Sequence, residues 1–351
     1  MFDALIEPWG SARAFFLQRK ASRPPFGQAV LKASNRESTF AQRGYGFEGE
    51  YAPRAATVGN NLRHGIEIHK PIFQLRQRDV DGTRQVGCGE LVRRTHIDLH
   101  YESFGDGPPI LFVHGGVMNG AMTWSAQQPL AERWRLIVIN RPGFGESSST
   151  DRVDFAFDAR LVAGVLDRLP ALFGIDRVHL VGHSYGGVIS LLAAAMRPEA
   201  IRSLTVIEPP AFGIARGNAA ADALVSRLKE HWQNGPRDDP AAFLRQFLTL
   251  SGSAAKLPDP LPPPLAQGAA MLVVERGPWE AEIPLQRLAD APFPKLVISG
   301  GHAAAFDAVC DVLERELDAE RAVIAGAGHS VQQTGEPFNR RLEAFLTAAH
   351  G

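Results

Sequence analysis

Cysteine is nearly absent, with only Cys88 and Cys310 in 351 residues. Two residues so far apart make no disulfide framework and have no metal-ligand spacing, which reads as free thiols in a reducing compartment. No run of about 18 apolar residues occurs, so no transmembrane helix is expected. Neither sign of charge dominates: 37 Lys and Arg stand against 38 Asp and Glu, a formal net charge of −1. That balance excludes the concentrated basic surface with which proteins hold nucleic acid. A composition 45% hydrophobic and 21% charged is able to bury a sizeable core. The length suits one large α/β domain or two smaller ones. The expectation at this level is a soluble, cytoplasmic, globular protein with no membrane partner.

The charge is unevenly spread. Residues 1–90 hold 13 basic and 9 acidic side chains, a net of +4, which leaves −5 for residues 91–351. Residues 9–46 carry seven basic side chains and a single acid, Glu37. This stretch has no sustained periodicity, and its patch Ala14-Phe15-Phe16-Leu17 is too brief for the apolar region of a secretory signal. An Arg-rich, acid-poor start has the composition of an organellar transit peptide. The simpler reading of residues 1–90 is a weakly folded or disordered extension. The excess of Arg over Lys suggests a GC-rich coding sequence, in which such an extension can arise from an upstream start. A net of +4 over 90 residues reads as a solvated tail rather than an anchor for an acidic surface.

From about residue 94 the texture changes. Residues 95–104 alternate as a half-buried strand does, and Gly105-Asp106-Gly107-Pro108-Pro109 is a turn. Short apolar runs follow at 110–113, 136–139, 178–181, 204–207, 296–299 and 322–325. Uninterrupted runs of this length suit strands buried on both faces of a parallel sheet. Helical patterns lie between them at 155–173 and 187–197, the latter stopped by Pro198, and residues 338–349 form a terminal amphipathic helix. Strands alternating with helices predict an α/β fold with a doubly wound, mostly parallel sheet, in which functional residues sit beyond the carboxyl ends of the strands. One insertion breaks the rhythm, about residues 209–292. It contains helical stretches at 222–232 and 241–250 and a proline cluster at 258–264. An insertion of that length between strand ends reads as a lid over the site.

The strongest chemical signal is Gly182-His183-Ser184-Tyr185-Gly186-Gly187, a G-x-S-x-G between a buried strand and an apolar helix. A serine on such a sharp turn needs small residues two before and two after it, and a helix starting behind it aims amides at a developing oxyanion. A hydroxyl is a poor nucleophile at neutral pH and needs a base. Gly326-Ala327-Gly328-His329-Ser330 supplies one on the loop after the last strand. His114-Gly115-Gly116 ends an early strand where a second oxyanion donor is needed, so the amides of Gly116 and Tyr185 are the candidates. His114 orders that loop in this reading. The glycine-punctuated loop Asn140-Arg141-Pro142-Gly143-Phe144-Gly145-Glu146-Ser147 reads as scaffold.

From about residue 95 to 350 the chain resembles the α/β-hydrolase superfamily. The matching motifs are HGG at 114–116, RPGFGES at 141–147, GHSYGG at 182–187 and GAGHS at 326–330. The resemblance implies an eight-strand, mostly parallel sheet, a lid inserted after the sixth strand and a Ser-acid-His triad. The chain departs from it at the acid. The superfamily's commonest arrangement, a G-x-x-D pattern beyond the seventh strand, meets alanine in Gly300-Gly301-His302-Ala303-Ala304-Ala305-Phe306-Asp307. Some members carry the acid directly after the sixth strand, where Glu208 stands, one helix and one strand beyond Ser184. Glu208 is favoured on that position. Asp307 is the alternative acid, and a lid-hinge role for Glu208 stays open.

The expected activity is that of a carboxylesterase-like serine hydrolase without metal or cofactor, acting on an ester, thioester, lactone or amide of a small to medium apolar molecule. Ser184 attacks, His329 carries the proton, Glu208 orients His329, and the Gly116 and Tyr185 amides hold the oxyanion. Carbon–carbon bond hydrolysis, a cofactor-free perhydrolase reaction and a slow-turnover ligand sensor are the other readings the same residues allow. Sequence says nothing of oligomeric state.

Overall fold

The apolar runs become the strands of one sheet. The computed structural model describes residues 72–76, 96–253 and 255–350. Among these residues, eight strands lie in the order β1-β2-β4-β3-β5-β6-β7-β8. They are β1 (Ile72–Arg76), β2 (His96–Phe104), β3 (Pro109–Val113), β4 (Arg135–Ile139), β5 (Val178–His183), β6 (Ile201–Ile207), β7 (Lys295–Ser299) and β8 (Glu320–Val323). The pairs β1–β2 and β2–β4 are antiparallel, and every other neighbouring pair is parallel.

Side chains alternate faces along a strand, which is why continuous apolar runs need cover on both sides. Leu111, Val113, Ile137, Leu180, Leu204 and Val297 face a core shared with helices α1 (Phe155–Leu166), α2 (Tyr185–Met196) and α6 (Ala304–Leu317). Ile110, Phe112, Leu136, Val138, Val181 and Ile298 face a second core, closed by Trp124, Trp134 and the terminal helix α7 (Glu336–His350). Three further helices, α3 (Ala219–Asn234), α4 (Pro240–Leu250) and α5 (Pro263–Val273), lie in the insertion between β6 and β7.

Local chemistry sets several of these boundaries. Asp154 caps α1 by accepting from the amides of Ala156 and Phe157, and Asn218 does the same for α3. The helical pattern read over residues 155–173 divides into two, Phe155–Leu166 and Leu169–Phe173. Pro170 explains the break, since it is tolerated in the first turn of the second piece but not inside a continuous helix. The proline cluster likewise opens α5, with Pro263 and Pro264 in its first turn, where no amide donor is needed.

Three expectations are corrected. Residues 72–76, assigned from sequence to the extension, are the edge strand of the sheet. Phe73 and Leu75 are fully buried, and the Phe73 ring packs 4.4 Å from Tyr101. Two apolar residues separated by a polar one are too short a signal to stand out in sequence. The rest of residues 1–90, including Cys88, lies outside the described residues. The last strand occupies Glu320–Val323 rather than 322–325, and as a sheet edge it is exposed or half-buried throughout. The helix after β5 begins at Tyr185, two residues earlier than its apolar pattern. Cys310 is a buried free thiol in α6. Among the described residues no helix is long and apolar enough to cross a membrane.

Candidate active site

Among the described residues, three non-glycine residues take positive φ: Ser184, Glu208 and Asp318. Two of them face each other across one site, as expected where strain is retained for function. Ser184, at φ 53° and ψ −125°, joins the end of β5 to the first turn of α2. Its amide donates to Ile207 O at 2.8 Å, and its carbonyl accepts from Gly187 N at 2.7 Å. The turn is so tight that a Cβ on Gly182 would lie 2.4 Å from Gly186 O, and one on Gly186 would lie 2.4 Å from the carbonyls of Val113 and His114. Backbone cannot yield there, so both positions require glycine.

The Ser184 hydroxyl lies 2.9 Å from His329 Nε2, and His329 Nδ1 lies 3.2 Å from Glu208 Oε2. Glu208 is fully buried at the end of β6. Its other oxygen, Oε1, accepts from Gly300 N at 2.7 Å, and its own amide donates to Ile298 O. Burial pushes this carboxyl up, but the histidines His302 and His329 and the Gly300 amide overcome it and hold the group down at about 2. An ionised Glu208 fixes the proton of His329 on Nδ1 and leaves Nε2 free to accept from Ser184.

Asp307 is placed elsewhere. It lies in the first turn of α6, and its Oδ1 accepts from Ser299 Oγ at 2.6 Å and from Arg321 at 3.1 Å. The structure therefore brings Ser184, His329 and Glu208 together and leaves Asp307 in an ion pair at the β7–β8 edge.

The two candidate oxyanion donors flank the serine. Tyr185 is the first residue of α2, where helix amides have no acceptor of their own. On the other side, a Cβ on Gly115 would lie 3.1 Å from Ser184 Cβ, so the His114-Gly115-Gly116 loop runs directly over Ser184. Buried contacts hold that loop. Arg141 N donates to His114 Nε2 at 3.0 Å, so His114 Nδ1 carries the proton and donates to Gly115 O at 2.9 Å. The Arg141 guanidinium, 1% exposed, donates to Gly115 O at 2.7 Å and pairs with Asp158 at 2.9 Å. It also lies over the rings of Phe144 and Tyr185.

Four residues here carried no site assignment from sequence. His183, between Gly182 and Ser184, lies 3.0 Å by Nε2 from His329 O and anchors the loop that bears His329. Burial, with His329 beside it, lowers His183 to about 3, so it is neutral and donates. His302 approaches Glu208 Oε2 at 3.5 Å through Nδ1, and contact with that carboxylate raises it. Arg141 belongs to the loop read as scaffold. Glu275, at the end of the insertion, has its carboxyl against Gly116. The pair Gly300-Gly301 at the end of β7 was a usable signal for His302 as a residue of the site, though not for its partner Glu208; nothing local marks Glu275.

Glu208, His302 and His329 each offer one potential metal-ligand atom, all within 4.8 Å of one another. In this geometry two of those atoms instead join the hydrogen-bonded chain that ends at Ser184. A cleft of about 710 Å³ lined by Arg152, Trp232, Glu275 and Trp279 opens between the insertion and the sheet domain, and Ser184 and His329 are not among its lining residues.

Comparison with known proteins agrees with this architecture. The alpha/beta hydrolase fold family matches residues 108–336. A pimeloyl-[acyl-carrier protein] methyl ester esterase of Aeromonas hydrophila is 35% identical over 119 residues, 33% of this chain and 44% of that protein. A putative carbamate hydrolase, RutD, of Azorhizobium caulinodans is 29% identical over 71% of this chain and 94% of its own length. A solved esterase of Thermogutta terrifontis has a TM-score of 0.53 at 21% identity, covering 74% of this chain and 97% of that one, a likeness of fold. The chain spans less than two thirds of the length of several curated relatives that it matches, 64% and 44% in two of them. With the family matched across most of the sheet and the whole site, the chain belongs to the alpha/beta hydrolase fold family.

Proposed function

We propose that this protein is a serine hydrolase cleaving an ester-type bond through an acyl-enzyme. The observation that carries the reading is the chain Ser184 Oγ–His329 Nε2–Glu208 Oε2, at 2.9 and 3.2 Å, ending on a fully buried carboxylate. Relatives named as an ester esterase and a carbamate hydrolase support hydrolysis at an acyl carbon.

In the proposed cycle, Ser184 Oγ attacks the carbonyl carbon while its proton passes to His329 Nε2. The carbonyl oxygen becomes an oxyanion held by the Gly116 and Tyr185 amides. Glu208 stabilises the resulting imidazolium and keeps the ring oriented. The carbon–oxygen bond then breaks, and His329 returns its proton to the leaving alkoxide. Water repeats the sequence: His329 takes its proton as the oxygen attacks, the acyl–Ser184 bond breaks, and the proton returns to Ser184. Every proton is borrowed and returned, and side chains, amides and water suffice.

The insertion 209–292 serves as the lid in this reading. Gln267 of α5 accepts from Gly145 N at 3.1 Å, and Met271 abuts Gly143, so α5 sits on the loop that follows β4. A small to medium, mostly apolar substrate suits the Leu, Phe and Trp content of this segment, and a cytoplasmic location suits the two widely spaced cysteines.

Labelling with a fluorophosphonate probe, with hydrolysis of short and medium p-nitrophenyl esters in parallel, tests the proposal. Covalent labelling that disappears in Ser184→Ala, with many turnovers per protein, is the expected result. Labelling without turnover would favour a ligand sensor, and absence of labelling would refute the mechanism.

A further inference from the structure

A buried carboxyl that the proposed mechanism does not use stands beside the oxyanion loop. Glu275 is 7% exposed, and its Oε2 is fully buried without a hydrogen-bond partner. A Cβ on Gly116 would lie 2.9 Å from that oxygen and 3.4 Å from Oε1. The carboxyl therefore occupies the space where residue 116 would carry a side chain, next to the amide proposed to hold the oxyanion.

Its position is rigidly determined. Residues 153 and 275 form a short parallel bridge, with Val153 N donating to Val274 O and Arg276 N to Val153 O at 3.2 and 2.8 Å. Trp232 Nε1 donates to Glu275 O at 2.8 Å, and Glu275 N donates to Leu272 O. The nearby cation, Arg141, turns its two terminal NH₂ groups elsewhere, to Asp158 and Gly115 O, its Nε has no partner, and Glu275 Oε2 receives no hydrogen bond from it. A buried, unpaired carboxyl in such surroundings keeps its proton; burial, eased by Arg141 and reinforced by Asp158, holds it up at about 8. The group facing Gly116 is thus a neutral O–H donor. A desolvated donor without an acceptor is costly, and a site that hydrogen-bonds one substrate rejects the analogue lacking the acceptor.

We propose that Glu275 is a specificity-determining residue whose O–H donates to a hydrogen-bond acceptor on the acyl part of the substrate, an ether, hydroxyl or keto oxygen on the α or β carbon. The α or β position follows from the place of the carboxyl against Gly116 Cα, within a few bonds of the scissile carbonyl once its oxygen reaches the Gly116 amide. The inference rests on the serine-hydrolase reading and narrows its substrate class to oxygen-bearing short acyl groups.

Two nearly isosteric probes test it, p-nitrophenyl methoxyacetate and p-nitrophenyl butyrate, which differ by an ether oxygen in place of a methylene. The quantity measured is the ratio of kcat/KM for the two esters in wild type, Glu275→Gln, Glu275→Leu and Glu275→Met. Intrinsic ester reactivity cancels when this ratio is compared between variants. Leu and Met should lower the methoxyacetate preference by about tenfold, the scale of one hydrogen bond. Gln, which keeps an N–H donor, should hold it within about threefold. A carboxyl that merely fills space beside Gly116 would change both rates together and leave the ratio alone. An unchanged ratio in Leu or Met, whichever folds, overturns the inference. Ser184→Ala on butyrate separates the two levels: activity surviving there refutes the serine-hydrolase reading itself.

Discussion

Replacing Glu208 by Gln is the most informative perturbation, because it removes a charge while keeping the shape. Glu208 accepts from Gly300 N at 2.7 Å and meets His329 Nδ1 at 3.2 Å, in full burial. A glutamine can match the Gly300 amide only by turning its own NH₂ toward His329. Nδ1 must then accept, and the ring proton moves to Nε2, which faces Ser184 Oγ at 2.9 Å. The base becomes a donor, and the developing imidazolium loses its counter-charge. In the native fold the carboxyl is held from its usual 4.5 to about 2, a preference of about 3 kcal/mol for the anion despite burial. Losing both the tautomer and that charge should lower kcat by about 10⁴, equivalent to about 5 kcal/mol of barrier. The assay is the initial rate on p-nitrophenyl butyrate, with thermal unfolding of each variant to show that the fold survives. Asp307→Asn, whose carboxylate serves Ser299 and Arg321, should stay within a few-fold of wild type. A Glu208→Gln enzyme within tenfold of wild type, or an equal loss in Asp307→Asn, would refute the assignment of the acid.

Three further outcomes follow from the same contacts. His302 is raised by Glu208, so its contribution to stability is present below about pH 6.5 and lost as pH rises through the raised value. The Tm deficit of His302→Gln should therefore be larger at pH 6 than at pH 9, and a pH-independent deficit would contradict the contact. Arg141→Met should cost about 3–5 kcal/mol in urea unfolding, because it strands the buried Asp158 carboxylate and frees Gly115 O. Adding Asp158→Leu should recover most of that loss, and an Arg141→Met cost under about 1 kcal/mol would show the pair to be slack. Glu275, held at about 8 by burial with Arg141 opposing and Asp158 reinforcing, binds its proton more tightly folded than unfolded. Stability should thus fall as pH rises from about 4.5 through about 8, and Glu275→Gln should escape the fall by on the order of 4 kcal/mol at pH 9. Parallel stability curves for the two proteins would refute a neutral Glu275.

What sequence alone determined are the features whose causes are local. The apolar runs predicted a strand over 178–181 and a helix over 187–197, which the structure extends to Val178–His183 and Tyr185–Met196, and the turn between them accepts only glycine at 182 and 186. The clash at Gly182, with Gly186 O, comes from adjacent residues, so Ser184 stood out without coordinates, whereas the clash at Gly186 comes from the Val113 and His114 carbonyls of a distant strand end. His329 was legible for a similar reason, as a histidine on a glycine-flexed loop after a strand run. Sequence order also placed Glu208 at a strand end, yet could not separate it from Asp307, because that choice depends on what each carboxylate meets across the sheet. Only the tertiary structure separates their contacts, since β6 and β7 bring Glu208 against His329 and Gly300 while Asp307 meets Arg321. The same holds for the edge strand Ile72–Arg76, whose two buried side chains are too few to make a pattern, and for His302, which lies 94 residues beyond Glu208. Glu275 is the extreme case, separated from Gly116 by more than a hundred residues and brought to it by a two-residue bridge. Local sterics and periodicity are written in neighbouring residues; the partner of a buried charge is written only in the packing.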